Sequence, residues 1–185
     1  MLGQASRMRA LRSRVAPTSE LLALERDRDT SLEWRQPRWD QYLYRLESPR
    51  GMLALMQTVG FLKLETSIET AGGCYRLQTR WARGFKLHFE DETEARCDFR
   101  PGWWFGGQLV LRDGESLRLK SQGFTAHQLE TEEGFPLVGF AGSREWFKCG
   151  SELTVHDALW RRDDALELMI VGFVAVALAT RRASD

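Results

Sequence analysis

The chain has 185 residues, which suits one domain with a sizeable core, and its 43% hydrophobic content excludes a globally disordered protein. Lys and Arg number 26, as do Asp and Glu, so the formal net charge is zero and no nucleic-acid partner is expected. Three widely spaced cysteines, at positions 74, 97 and 149, fit neither a disulfide framework nor a zinc site and favour a reducing, cytoplasmic location.

Residues 1–30 differ in composition from the rest of the chain. The run RMRALRSRV at 7–15 is basic, Pro17 interrupts it, and Thr18-Ser19-Glu20 provides a helix start before the charged run ERDRD. We interpret 1–30 as a basic N-terminal arm or as one or two short surface helices. A mitochondrial transit peptide is the alternative interpretation.

From about residue 31 to 160 the hydrophobic pattern has a period of two, which is typical of half-buried strands. Alternating runs cover 62–69, 75–81, 85–89, 103–111 and 117–120, and Gly-containing turns separate them. Asp113-Gly114 between two such runs is a hairpin signal. The stretch RGMLALMQTVG at 50–60 fits either a helix or a strand with a bulge. Many short strands at close spacing predict an antiparallel barrel or sandwich.

The last element is a helix predicted over 163–182. Asp163 and Asp164 suit its N-terminus and Arg181 and Arg182 its C-terminus. The run from Leu168 to Ala179 has no polar side chain, so protein or lipid must surround the helix. A bilayer core needs about 20 apolar residues, and this run is shorter. We therefore predict a helix buried in protein, with a C-terminal membrane anchor over 165–180 as the alternative.

The order of elements, with runs such as GGQLVLRDGESLRLKS (106–121) and ALELMIVGFVAVALA (165–179), resembles the tubby C-terminal-like superfamily. That group includes the tubby domain, the phospholipid scramblases and the LURP-one-related proteins. The resemblance covers about residues 31–182. It implies a closed antiparallel barrel of about twelve strands over 31–185 around a buried apolar C-terminal helix. It also implies association with phospholipid head groups or membranes, although no local motif carries the tubby lipid-binding residues over to this chain.

Outward positions of the predicted strands carry basic side chains that would form an anion-binding face if their strands are adjacent. Cross-strand salt bridging with outward glutamates is the alternative. Trp104 follows Trp103 on the opposite face of its strand and is the candidate for an interaction surface. Packing beneath the N-terminal arm is the alternative interpretation of Trp104. The candidate lipid-binding or anion-binding residues are Lys63, Arg76, Arg80, Lys86, Arg118 and Lys120.

The sequence predicts no catalytic, metal or cofactor site. Its three histidines are far apart, and the acidic runs at 91–94 and 130–133 lack calcium-loop spacing and fit solvated hairpin loops. A nucleophilic pair of Cys74 or Cys149 with a histidine is the enzymatic alternative. We predict a non-enzymatic tubby-like module that binds a lipid head group or an anionic membrane surface, cytoplasmic or peripheral to a membrane. The alternative functions are a protein-interaction module that uses the N-terminal arm, and a C-terminally anchored membrane protein.

Overall fold

The alternating stretches of the sequence form twelve β-strands, each with its apolar residues on one side. In the ninth strand, for example, Leu117 and Leu119 are buried while Arg118 and Lys120 are exposed. The computed structural model describes residues 21–26, 29, 31–38, 43–59, 65–79, 84–89, 92–102, 106–123, 125–142 and 150–182. The strands are β1 (Leu32–Arg38), β2 (Leu43–Ser48), β3 (Gly51–Val59), β4 (Glu65–Thr70), β5 (Gly73–Thr79), β6 (Phe85–Phe89), β7 (Cys97–Pro101), β8 (Gly107–Leu111), β9 (Ser116–Ser121), β10 (Ala126–Thr131), β11 (Pro136–Gly142) and β12 (Ser151–Val155).

The strands close into one antiparallel barrel. Each strand pairs with the next along the chain, and β1 pairs with β12, where Leu32 lies opposite Leu153 and Trp34 opposite Ser151. Because the ring is complete, none of the twelve described strands has a free edge for pairing with another chain. The predicted closed barrel of about twelve strands is confirmed.

Two helices follow β12: α1 (Asp157–Trp160) and α2 (Ala165–Arg182). The backbone carbonyl of Asp164 accepts the first helical hydrogen bond, from the Leu168 amide at 3.0 Å. Since β12 runs into these helices, the end of the barrel at which α2 begins is called the entry end below. The turns β6–β7, β8–β9 and β10–β11 lie at this same end because alternate strands run in the same direction.

Helix α2 is surrounded by the barrel. Residues 168–175 are all buried, which covers more than two helical turns and therefore every side of the helix. The Phe173 ring stacks on Trp34 of β1 at 4.6 Å between centroids and meets Tyr44 of β2 edge-on at 5.6 Å. The predicted buried apolar helix is confirmed. Across the residues described, no helix has both the length and the apolarity that crossing a membrane requires.

The stretch at 50–60, which suited either a helix or a bulged strand, contains strand β3. Its register against β2 shifts between Leu46 and Glu47, which marks a bulge. The helix-like apolar spacing arises because β3 carries apolar residues on both faces. One face lines the barrel interior, and the other packs in an apolar cluster outside it. Ala54 and Met56 belong to the barrel interior, whereas Leu55 packs outside with Leu43. Leu21 and Met52 complete this second, outer apolar cluster.

Residues 21–26 and 29 lie against the outside of the barrel and form no regular helix. The Leu22 amide donates to the Met52 carbonyl at 2.9 Å. Arg50, in the β2–β3 turn, holds this segment from several sides. Its Nε and Nη2 donate to the two oxygens of the buried Asp29 at 3.0 and 2.8 Å, and Nη2 also donates to the Ala23 carbonyl at 2.7 Å. A third nitrogen, Nη1, reaches Glu25 at 2.9 Å.

Candidate functional site

Four of the six predicted anion-binding residues lie in the described part of the chain, and all four point outward. Arg76 on β5 lies beside His88 on β6, and Lys86 on β6 lies beside Asp98 on β7. Arg118 and Lys120 follow each other on the outer side of β9. The other three sequence-predicted site residues, Lys63, Arg80 and Trp104, lie outside the described residues.

Strand β7 connects the two pairs through a residue that the sequence interpretation missed. Arg100 points outward with a side chain 65% exposed, and it lies opposite Gln108 on β8, which in turn lies opposite Arg118 on β9. Two strand spacings, roughly 10 Å, therefore separate the backbones of Arg100 and Arg118. The signal was present in the alternation of Cys97-Asp-Phe-Arg-Pro101, because Cys97 and Phe99 are inward. The basic face is defined by Arg76, Lys86, Arg100, Arg118 and Lys120.

Few carboxylates accompany these cations. Within β5 to β9, Asp98 is the acidic residue on the outward side of the described strands, 3.8 Å from Arg100. Glu130 on β10 flanks the basic face and forms an ion pair with Lys120, while Glu69 on β4 borders its other side. The cross-strand salt bridge that was the alternative expectation thus occurs at Lys120, and Arg100 pairs with Asp98 within β7, but the face as a whole keeps an excess of positive charge.

A cavity of about 360 Å³ opens at the entry end, between α2 and strands β6 to β8. Its floor is apolar and its rim is charged. The floor consists of Leu87, Cys97, Leu111, Leu168 and Val171, and the rim consists of Arg96, Arg112, Asp113, Asp164 and Glu167.

Arg96 ties α2 to the barrel wall at this rim. It donates from Nη1 to Glu167 of α2 at 3.1 Å, and from Nη2 and Nε to the two oxygens of Glu92 at 3.0 and 3.3 Å. Its guanidinium lies 4.5 Å from the centre of the Phe89 ring. The hydrogen bonds to Glu92 and the nearby Glu167 raise the pKa of Arg96. The hydroxyl of Tyr75 donates to the same Glu167 oxygen at 2.8 Å, and burial followed by the charge of Glu167 raises the pKa of Tyr75.

A second arginine fixes the start of α2 to the β8–β9 turn. Arg162 donates from Nη1 and Nη2 to the two oxygens of Glu115, both at 2.8 Å, and from Nε to Asp164 at 2.8 Å. These hydrogen bonds, with Asp164 the stronger partner, raise the pKa of Arg162. With a further hydrogen bond from Nη2 to the second Asp164 oxygen at 3.0 Å, Arg162 forms a bidentate pair with each carboxylate.

The described residues offer little nucleophilic or metal chemistry. Cys97 is buried in the cavity floor, and burial raises the pKa of its thiol, which disfavours the nucleophilic thiolate. Leu87 lies opposite Cys97 in the β6–β7 pair, and His88, the next residue along β6, points to the opposite face, while Cys149 lies outside the described residues. In the described part of the chain, no group of three or more His, Cys, Asp or Glu side chains is placed to hold a metal ion.

Comparison with protein-family models, with curated proteins and with solved structures finds no match for this chain.

Proposed function

We propose that this chain is a non-enzymatic, tubby-like barrel that docks on an anionic lipid surface through its basic face. The observation that carries the proposal is the juxtaposition of five outward cations on β5 to β9 with one carboxylate, Asp98, among the described residues of those strands. A chain with zero net charge has to separate its charges to present such a surface. The carboxylates are instead concentrated at the entry end, around Arg96 and Arg162.

The sheet geometry supports docking on a surface in preference to enclosing a ligand. Outward side chains of neighbouring strands stand side by side about 5 Å apart, so the cations lie along one continuous arc of the outer barrel surface. Each Lys or Arg near an anionic membrane contributes about 1 kcal/mol, and salt screens this attraction. The five cations therefore suit a weak, salt-sensitive and reversible association at the cytoplasmic leaflet.

The test is flotation of the purified chain with liposomes of phosphatidylcholine alone and of phosphatidylcholine mixed with phosphatidylserine, at low and high salt. We expect flotation with the mixed vesicles only, and loss of flotation at high salt. Replacing Arg100 and Arg118 with glutamine should weaken partitioning about 30-fold, since two contributions of about 1 kcal/mol are removed.

The matched control is the double variant Arg35→Gln and Arg161→Gln, which removes the same charge from positions outside the basic face. Arg35 lies on β1 with a side chain 61% exposed, and Arg161 is exposed between the two helices. Equal weakening of liposome binding by both double variants would show that only the net charge of the protein matters. It would contradict docking through the basic face. Absence of flotation under every condition would exclude lipid docking and favour the protein-interaction alternative.

A further inference from the structure

We propose that the entry cavity binds a small amphipathic amine, that is, an alkylammonium group carried on an apolar body. The apolar body would lie on the cavity floor, where hydrocarbon side chains from two strands and α2 meet. Leu87 and Leu111 belong to the strands, and Leu168 and Val171 to the helix. Burial of apolar ligand surface on such a floor is favourable irrespective of the ligand's charge.

The rim favours a cationic ligand, because its two guanidiniums already form ion pairs with carboxylates of the protein. Arg96 is held between Glu92 and Glu167. Arg112 lies 3.5 Å from Glu92 and 2.7 Å from Glu94. The carboxylates around each arginine offset its charge, so the rim offers an anionic head group little net attraction.

Asp113 supplies the attraction for a cation. Its Oδ1 accepts a hydrogen bond from the Glu115 amide at 3.0 Å, and no cation of the described residues lies within ion-pair distance of it. Asp164, the other rim aspartate, is already paired, because Arg162 donates hydrogen bonds to both Asp164 and Glu115. Around the cavity, the ion-pair networks that include Arg96, Arg112 and Arg162 hold three guanidiniums and five carboxylates, and Asp113 adds a sixth. These groups are Arg96, Arg112, Arg162, Glu92, Glu94, Asp113, Glu115, Asp164 and Glu167.

This excess of negative charge surrounds a cleft with an apolar wall, and such clefts raise the local concentration of ions of opposite sign. The size of the cavity limits the ligand further. Small-molecule sites span roughly 300–1,000 Å³. At about 360 Å³ the entry cavity is at the small end of that range and suits a short chain or one ring, not a two-chain lipid. The site is therefore separate from the basic face in both position and charge preference.

The experiment uses three probes that share one tail and differ in head group: octylammonium, octanol and octanoate. Each is titrated into the full chain at low salt, and binding is followed by amide chemical shifts. We expect octylammonium to bind at least about tenfold more tightly than octanoate, with octanol between them. The shifts should centre on Leu87, Cys97 and Val171. Octanoate binding as tightly as octylammonium, or no saturable binding of octylammonium to the folded chain, would overturn the proposal.

Two matched variants distinguish an effect of the rim carboxylate Asp113 on ligand affinity from an effect of the protein's net charge. Asp113→Asn keeps the oxygen that accepts the Glu115 amide, so the turn is preserved while the charge is lost. It should weaken octylammonium about fivefold and leave octanol unchanged. Asp163→Asn removes an exposed carboxylate that does not line the cavity, and should change neither affinity. If the two variants behave alike toward octylammonium, Asp113 does not contact the ligand and the assignment of the site fails.

Discussion

Gly172 of α2 and Phe140 of β11 are in contact at the centre of the barrel. A Cβ atom on Gly172 would lie 2.4 Å from Cζ and 2.8 Å from Cε2 of the Phe140 ring, closer than real Cβ atoms come to other atoms. The helix thus passes the barrel wall at a separation that only a residue without a side chain permits. This contact determines how deeply Phe140 can point into the interior.

Replacing Gly172 with alanine should therefore destabilise the protein, although alanine favours helix by about 1 kcal/mol over glycine. We expect the free energy of unfolding in urea to fall by about 1–3 kcal/mol through overpacking. Gly139→Ala is the control, because a Cβ there meets Thr154 at an ordinary 3.5 Å. Phe140→Leu in the Gly172→Ala background should recover part of the loss. A Gly172→Ala variant as stable as the parent would show that the barrel wall has room for a side chain between Gly172 of α2 and Phe140 of β11.

Removing the Arg50 side chain should destabilise the attachment of residues 21–26 and 29 to the barrel. Asp29 is 1% exposed, and Arg50→Ala would leave its carboxylate buried without its cation. We expect the midpoint of thermal unfolding to fall by about 5–10 °C, and Arg50→Lys to recover little, because one ammonium cannot make the contacts of Nε, Nη1 and Nη2. Adding Asp29→Asn to Arg50→Ala should restore part of the midpoint. Failure of that rescue would show that Asp29 is not the cause.

The Arg162 bridge should stabilise the start of α2. Arg162→Gln removes the hydrogen bonds to Glu115 and Asp164, and we expect a loss of about 1–2 kcal/mol in unfolding free energy, since the arginine is 22% exposed and partly screened by solvent. Arg161→Gln, at the exposed neighbouring position, should change stability by less than about 0.5 kcal/mol. Equal effects of the two variants in urea denaturation would contradict a specific bridge.

Mild acid should destabilise the fold through His127. Its ring is 2% exposed, and burial lowers its pKa below the ordinary 6.5. As pH falls below about 6.5, the unfolded chain binds a proton that the native ring resists, so stability decreases by at most about 1.4 kcal/mol per pH unit for this group. His127→Phe should reduce that slope in urea denaturation between about pH 7 and 5. If the unfolding free energy of both proteins changes equally with pH, titratable groups other than His127 cause the loss of stability in mild acid.

Asp29 contributes in a lower pH window. Burial raises the pKa of its carboxyl, but the hydrogen bonds from Arg50 and the Glu25 amide outweigh burial and hold the pKa below the ordinary 3.8. The stability that this carboxylate contributes is present above that value and is lost as pH falls through the lower native pKa. We therefore expect Asp29→Asn to flatten the acid limb below about pH 4 and to leave the His127 window unchanged.

Local patterns in the sequence predicted the strands and the buried apolar helix, whereas they left barrel and sandwich open and the closed barrel was what the family resemblance implied. The alternation of Leu117, Arg118, Leu119 and Lys120 predicts a half-buried strand, because one face of such a strand packs in the apolar core and the other contacts water. The apolar run from Leu168 to Ala179 predicts complete burial for the same reason. Strand β3 could not be assigned in this way, since the outer cluster of Leu43, Met52 and Leu55 gives it apolar residues on both faces.

The entry-end network could not be predicted, because its members meet only in three dimensions. Arg96 and Glu167 are separated by 71 residues, and Tyr75 and Glu167 by 92. The same holds for the basic face. Alternation assigned Arg76 and Arg118 to outward positions, but the strand order was needed to show that Arg100 lies between them. Lys63, Arg80 and Trp104 stay sequence predictions.

The pairing of β1 with β12 has a consequence for biosynthesis. Eleven strands leave the ribosome before the strand that completes the ring, and α2, which occupies the interior, is made after that strand. Until then the nascent chain holds an open, apolar trough whose inward residues have no partner at its centre. Such late, long-range closure slows folding and exposes aggregation-prone surface. A holdase chaperone that binds the growing chain, and is released once α2 enters, would protect it during this interval.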